Sequence, residues 1–129
     1  MSLTPYGLYC QNLRNKYDVS QKTLAKILSK NPSYLSALEH GRKGKPEDEM
    51  INKIIDHFSL SELEAQDLRN AASDSDPNLR LPPNILAKTY RVARLFVERA
   101  DSLNEGDLNV LEAVLINKRL EGRATSMKK

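Results

Sequence analysis

The 129-residue chain contains no tryptophan, only two phenylalanines and a single cysteine. A core built from this composition must be mainly aliphatic, which is typical of small helical bundles. Because Cys10 has no partner for an internal disulfide, we interpret it as a small buried hydrophobic side chain. The chain also lacks an apolar run of about 18 residues and a signal-peptide pattern, so we expect a cytoplasmic protein without a membrane span.

Groups that perform chemistry are equally scarce. The two histidines, His40 and His57, have no cysteine or histidine near them at metal-ligand spacing. No Ser-His arrangement and no phosphate-cradling glycine motif occurs in the sequence. We therefore predict neither an enzyme nor a bound metal or cofactor.

Charge is divided unevenly along the chain. Residues 1–45 contain eight basic and two acidic residues, whereas residues 46–76 contain two basic and nine acidic residues. A chain that only needed solubility would more often intersperse its charges. The division indicates a basic side that faces a polyanion and an acidic side that is turned away from it.

Residues 21–41 have the pattern of two short amphipathic helices joined by a tight turn. Ser20 is a suitable N-cap for the first helix, predicted over 21–28. Ala25 is small enough to let a second helix cross close to the first. Asn31 caps that second helix and is followed by Pro32 at its first position, and Gly41 suits its end.

The outward face of the second helix is predicted to carry small or polar side chains. Leu35 and Leu38 point to one side, so the opposite side carries Ser33, Ser36, Ala37 and His40. Cations surround this face at Lys22, Lys26, Lys30, Arg42, Lys43 and Lys45. This combination favours a helix that enters the DNA major groove over an ordinary solvated helix.

These residues resemble the Cro and phage-repressor-like helix-turn-helix regulators, also called the XRE family. The resemblance covers about residues 4–72 and rests on Gly7, Cys10, Leu13, Arg14, Gln21, Ala25, Leu35, Leu38, Glu39, Gly41 and Pro46. Ser29 stands where the family commonly has a turn glycine. The resemblance implies an all-α, five-helix lambda-repressor-like DNA-binding bundle, here with a C-terminal two-helix extension. It also implies a structural ion pair between Arg14 and Glu39.

The resemblance and the face geometry together predict two sets of DNA contacts. The base-facing residues are Asn31, Ser33, Tyr34 and Ala37, although Tyr34 is also placed to meet the DNA backbone or to pack inward. The phosphate contacts are Gln21, Lys22, Thr23, Arg42, Lys43 and Lys45, the first three through side chains and free N–H groups.

The pattern predicts four segments. Residues 1–73 form the DNA-binding domain, with a first helix from Pro5 to about residue 16 and a fifth that begins at a capping box of Ser61 and Glu64. Residues 74–83 form a linker and residues 84–121 a helical hairpin, whose second helix begins at a capping box of Ser102 and Glu105. Residues 122–129 form a disordered basic tail.

The predicted hairpin cannot bury both of its apolar stripes by itself. We expect it to form a homodimer interface, and folding back onto the first five helices is the alternative. The dimerisation candidates are Leu86, Tyr90, Ala93, Val97, Leu108, Leu111 and Leu115.

The sequence thus predicts a sequence-specific double-stranded DNA-binding transcriptional regulator. The expected form is a repressor that binds a near-palindromic operator as a dimer. The alternative is an antitoxin or another adaptor that keeps the same fold but binds a protein partner.

Overall fold

The chain folds into α-helices that form two compact units, Met1–Arg80 and Leu81–Lys129. The computed structural model describes residues 2–127, and for residues 119–127 the backbone alone. All regular secondary structure in the described range is helical, so the predicted all-α fold is confirmed. None of the described helices combines the length and the apolar character needed to cross a membrane.

Seven α-helices and one 3-10 turn follow one another along the described chain. The first unit contains α1 (Pro5–Tyr17), α2 (Gln21–Ile27), α3 (Pro32–Glu39), α4 (Asp48–Phe58) and α5 (Glu62–Asp74). The second unit contains α6 (Ala87–Arg99), the 3-10 turn (Ala100–Ser102) and α7 (Glu105–Met127).

Side-chain caps mark the starts of α1, α2, α3 and α5, whereas α4 begins without a side-chain cap. The side-chain oxygens of Thr4, Ser20 and Asn31 accept hydrogen bonds from backbone N–H groups in the first turns of α1, α2 and α3. Ser61 and Glu64 form the predicted capping box at α5. These bonds satisfy amides that have no partner within the helix, so each helix starts where the sequence predicted.

The ends of α1 to α4 share one backbone conformation. Each helix is followed by a left-handed residue, and these are Asp18, Ser29, Gly41 and Ser59, with φ of 53°, 57°, 80° and 51°. After α2 the amide of Lys30 bonds to the carbonyl of Ala25 at 2.9 Å, which is the bond of a Schellman motif. Only one of the four residues is glycine, although side chains disfavour this conformation.

The core of the first unit is aliphatic, as the composition indicated. Helix α1 packs against α5 and α3, and α2 packs against α3. Cys10 is fully buried, and this burial raises the pKa of its thiol to about 12. The core residues are Tyr6, Cys10, Leu13, Leu24, Ala25, Leu28, Leu35, Leu38, Met50, Ile51, Ile54, Phe58, Leu68 and Ala72.

A buried hydrogen bond joins the two ends of the first unit. The amide of Tyr6 donates to Ser75 Oγ at 2.8 Å, and Ser75 Oγ donates to the carbonyl of Ala71 at 2.7 Å. Ser75 is buried, so this residue belongs to the bundle rather than to the linker predicted for 74–83. The boundary between the units falls after Arg80.

The second unit differs from the prediction at its helix ends. Asn84 has a φ of 61°, so α6 begins at Ala87 and not at residue 84. Asn104 and Asp107 form the reciprocal cap of α7, with bonds of 2.8 and 3.2 Å, whereas Ser102 Oγ donates to the carbonyl of Arg99. The predicted capping box at Ser102 and Glu105 is therefore wrong by two residues.

Helix α7 also continues into the segment predicted as a tail. The backbone is helical as far as Met127, whereas disorder was predicted for residues 122–129. Gly122 lowers helix propensity by only about 1 kcal/mol, and no proline follows it to end the helix. Residues 128 and 129 lie outside the described range.

Helix α1 crosses the end of α3 at very close range. The carbonyl oxygen of Glu39 accepts hydrogen bonds from both the amide and the hydroxyl of Thr4, each at 3.0 Å. A Cβ atom on Gly7 would overlap with this same oxygen. The crossing therefore requires glycine at position 7, which explains this element of the motif.

Gly7→Ala should destabilise the first unit by roughly 1–3 kcal/mol, because the added methyl group pushes α1 away from α3. Urea unfolding measures the change. Gly106→Ala in α7 is the control, since the nearest atom there is Asn104 Oδ1 at 3.3 Å, a contact that needs a shift of only a few tenths of an ångström. Equal stability of wild type and Gly7→Ala would contradict the crossing.

Ser29→Gly should stabilise the first unit by about 1 kcal/mol, because glycine adopts the left-handed conformation without strain. Ser73→Gly, in the last turn of α5, should have the opposite sign, since this residue is helical and glycine lowers helix propensity. Thermal and urea unfolding of both variants test the prediction, which fails if the two substitutions shift stability in the same direction.

Candidate nucleic-acid interface

Helices α2 and α3 form a tightly connected, closely packed pair. Four residues, 28–31, join them, and the two helices pack directly on each other. Ala25 has no exposed surface, and Leu24, Leu28, Leu35 and Leu38 are buried around it. A small side chain at position 25 allows the close crossing that a helix-turn-helix needs.

The first turn of α3 is exposed. Asn31 and Ser33 are exposed, as the prediction of base-facing residues requires. Asn31 Oδ1 accepts from the amide of Ser33 at 2.8 Å, which leaves the side-chain NH₂ group to donate elsewhere. Tyr34 is half-buried against the core, and Lys30 Nζ lies 5.6 Å from its ring centroid. Part of the Tyr34 side chain therefore packs inward.

Ala37 does not lie on an open face. Only 9% of its surface is exposed, so the prediction that its methyl group points outward is wrong. Helix α3 has eight residues and packs against both α1 and α2, and these contacts cover much of its second turn. Ser36 and His40 are half-buried, and His40 Nδ1 lies 2.9 Å from the carbonyl oxygen of Ser36.

The predicted phosphate-binding cations are exposed on two segments next to α3. Lys22 lies in the first turn of α2, and Arg42, Lys43 and Lys45 lie in the loop between α3 and α4. Gly44 in this loop has a φ of 76°, a conformation suited to glycine. The first turn of α3 thus has exposed basic residues before it and after it along the chain.

Thr23 and Gln21 are less available than the sequence predicted. The amide of Thr23 donates to Ser20 Oγ at 3.0 Å, so it is not a free N–H group. Its hydroxyl oxygen accepts from the Ser20 hydroxyl at 2.9 Å, which leaves only the hydroxyl proton to donate. Gln21 is half-buried and its Nε2 donates to Glu39 Oε1 at 3.2 Å.

Glu39 connects the three helices that build this surface. Arg14 Nη2 of α1 lies 3.2 Å from Glu39 Oε1, which is the ion pair that the resemblance implied. The side chains are 12% and 1% exposed, so the ion pair is largely buried. The same oxygen accepts from Gln21, so one carboxylate fixes α1 and the start of α2 to the end of α3. Sequence reasoning missed the Gln21 bond, since no local spacing signals it.

The dimerisation candidates all lie on the surface of the second unit. Leu86, Val97 and Leu115 are 76%, 75% and 69% exposed, and among the candidates only Ala93 is half-buried. Within the described residues, no group of three or more histidine, cysteine, aspartate or glutamate side chains is placed to hold a metal ion.

The two glutamates with shifted pKa should give opposite pH dependences. Burial raises the pKa of Glu39 above its usual 4.5, against the opposing effects of Arg14 and Gln21. Stability from this group is therefore complete below pH 4.5 and lost as the pH rises through the raised pKa. As the pH rises through the raised pKa of Glu39, wild type should lose stability relative to Glu39→Gln. Urea unfolding at a series of pH values measures the difference.

Glu64 is the matched control for this measurement. Its hydrogen bonds from the backbone and side chain of Ser61 lower its pKa. This stability is present above pH 4.5 and is lost as the pH falls through the lowered pKa. Wild type should therefore gain stability relative to Glu64→Gln as the pH rises, and parallel pH curves for the two variants would contradict both assignments.

Comparison with known proteins agrees with this geometry. Residues 11–64 match a family model described as helix-turn-helix, and this range includes α2, α3 and α4 completely. Neither the curated proteins nor the solved structures that were searched gave a match. Residues 11–64 are therefore similar to the helix-turn-helix domains of DNA-binding regulators of the XRE family.

Proposed function

We propose that the protein is a sequence-specific transcriptional regulator that inserts the first turn of α3 into the major groove of double-stranded DNA. The observation that carries this proposal is the exposure of Asn31 and Ser33 on a helix whose other residues are largely buried. Short polar side chains at such a position reach base edges. The family match supports DNA binding in general.

In this proposal one set of residues contacts the bases and the other contacts the phosphates. The NH₂ group of Asn31 and the hydroxyl of Ser33 meet the bases, and Lys22, Arg42, Lys43 and Lys45 meet the phosphates. The lysines and arginine release counterions from DNA and so supply most of the salt-dependent affinity. Gln21 has a positioning role as well, because its bond to Glu39 fixes the start of α2.

The proposal includes a dimer that represses transcription from a near-palindromic operator. Two copies related by a two-fold axis read half-sites about one helical turn, or roughly 34 Å, apart. The exposed apolar side chains of α6 and α7 support a dimer. Repression follows when a protein of this kind occupies a promoter, and no catalytic group takes part.

A second function, an adaptor or antitoxin that binds a protein partner, is favoured by the same exposed apolar side chains. The two functions differ in what purification yields. A regulator purifies alone and selects related sequences from random DNA. An adaptor co-purifies with a partner and selects no sequence from the same DNA pool at low salt.

Lys43→Ala and Ser33→Ala should change DNA binding in different ways. Lys43→Ala should weaken selected and random duplexes equally and lower the slope of log affinity against log salt by about 1 per chain. Ser33→Ala should reduce discrimination at one base position, by an energy of about 1 kcal/mol, and leave the salt slope unchanged. Fluorescence anisotropy over a salt series measures both quantities.

Lys16→Ala is the control for loss of a positive charge elsewhere on the first unit. Lys16 Nζ lies 3.6 Å from Glu64 of α5, outside the α2–α3 pair. This variant should bind DNA as wild type does. The assignment of the interface fails if Lys16→Ala and Lys43→Ala have the same effect, or if Ser33→Ala leaves sequence preference unchanged.

A further inference from the structure

The second unit has no core of its own. No side chain among residues 81–118 is buried, and only Ile85, Ala93, Leu95 and Leu103 are half-buried. Large apolar side chains are exposed along both helices, among them Phe96 of α6 and Leu111 of α7. Because helices this short are held mainly by tertiary packing, a partner surface must cover these faces.

The two helices of this unit leave an open groove between them. Within the described residues α6 packs against the 3-10 turn and hardly at all along α7. The groove has a volume of about 460 Å³ and is lined by Phe96, Leu108, Leu111, Glu112, Leu115 and Ile116. Its walls are apolar except for Glu112, so it is suited to the apolar face of another helix.

The charges of the two helices are complementary. Helix α6 carries four basic residues and one acidic residue, whereas residues 105–118 of α7 carry three acidic residues and one basic residue. A basic helix is attracted to an acidic helix and is repelled by its own copy. Any helix that enters the groove beside Glu112 is therefore favoured if it is basic.

We propose that a second copy of this chain fills the groove, with α6 of each chain packed against α7 of the other chain. A two-fold axis makes the two contacts identical, so each apolar face is covered and each basic helix meets an acidic one. The 13 residues of α6 give a contact about 20 Å long. This inference rests on the proposed function only for the need to pair two DNA-binding units.

Charge reversals in the full chain test the arrangement. One variant carries Arg91→Glu and Arg99→Glu in α6, and the other carries Glu105→Lys and Glu112→Lys in α7. Each variant alone should place like charges across both contacts and raise the dimer dissociation constant by at least about tenfold. Sedimentation equilibrium gives the mass against the 14.6 kDa of one chain.

A mixture of the two charge-reversal variants tests whether α6 and α7 pair between chains or within one chain. An equimolar mixture should return to the dimer mass, because each reversed helix then faces a reversed partner. A chain that carries all four substitutions should also be dimeric, which shows that the reversed charges are compatible with folding. Glu62→Lys with Asp67→Lys, the same charge change on exposed α5 positions, should leave the dimer unchanged.

Four results would overturn the arrangement. These are a wild-type chain that stays monomeric at all concentrations, single variants that dimerise as wild type does, a mixture that remains monomeric, and a monomeric four-substitution chain. If α6 packed on α6 and α7 on α7 across the dimer, the single variants would dimerise as wild type does. If the two helices packed only within one chain, the wild type would stay monomeric. The measurement contains no DNA, so failure of the arrangement and failure of the proposed DNA binding are observed separately.

Discussion

The surface that we propose to face DNA depends on the contacts of Glu39. Its backbone carbonyl accepts two hydrogen bonds from Thr4 and lies where a side chain at Gly7 would be, so α1 and α3 meet at backbone distance. Its carboxylate accepts from Arg14 and Gln21. These two partners offset part of the hydration that the buried carboxylate loses, and its raised pKa shows that burial still outweighs them. The orientation of α3 against α1 and α2 is therefore set by one residue at its last turn.

This arrangement explains how a helix of only eight residues can present a defined surface. Helix α3 is too short to be stable alone, so packing must hold it. Its second turn supplies that packing through Leu38 and Glu39, while its first turn leaves Asn31 and Ser33 exposed. Buried packing contacts and exposed polar side chains are thus placed on successive turns of α3 rather than on opposite faces.

Local chemistry made much of the first unit predictable. Thr4, Ser20, Asn31 and Ser61 cap helices where their sequence pattern placed them, because a cap depends on atoms two or three residues away. Ala37 was misplaced because an angle around a helix does not reveal which neighbours cover a short one. The bond between Gln21 and Glu39 joins residues 18 positions apart, so no local spacing reports it.

In the second unit the same reasoning predicted that both helices exist but misplaced their ends. Asn84, with its left-handed conformation, delays α6, and Asn104 competes successfully with Ser102 for the cap of α7. Both errors lie within three residues of a predicted boundary, where several polar side chains offer similar caps. The apolar stripes that suggested an interface remain on the surface.

The hydrogen bond from the amide of Tyr6 to Ser75 has a consequence for how the protein is made. The ribosome releases α1 first, yet the groups that α1 packs against in α5 emerge some 60 to 70 residues later. Until then Tyr6 and Cys10 have only part of their native surroundings, so the apolar side of α1 is incompletely covered. The Tyr6–Ser75 bond can therefore form only after Ser75 has left the ribosome, and a pause before that point would prolong exposure of the apolar side of α1.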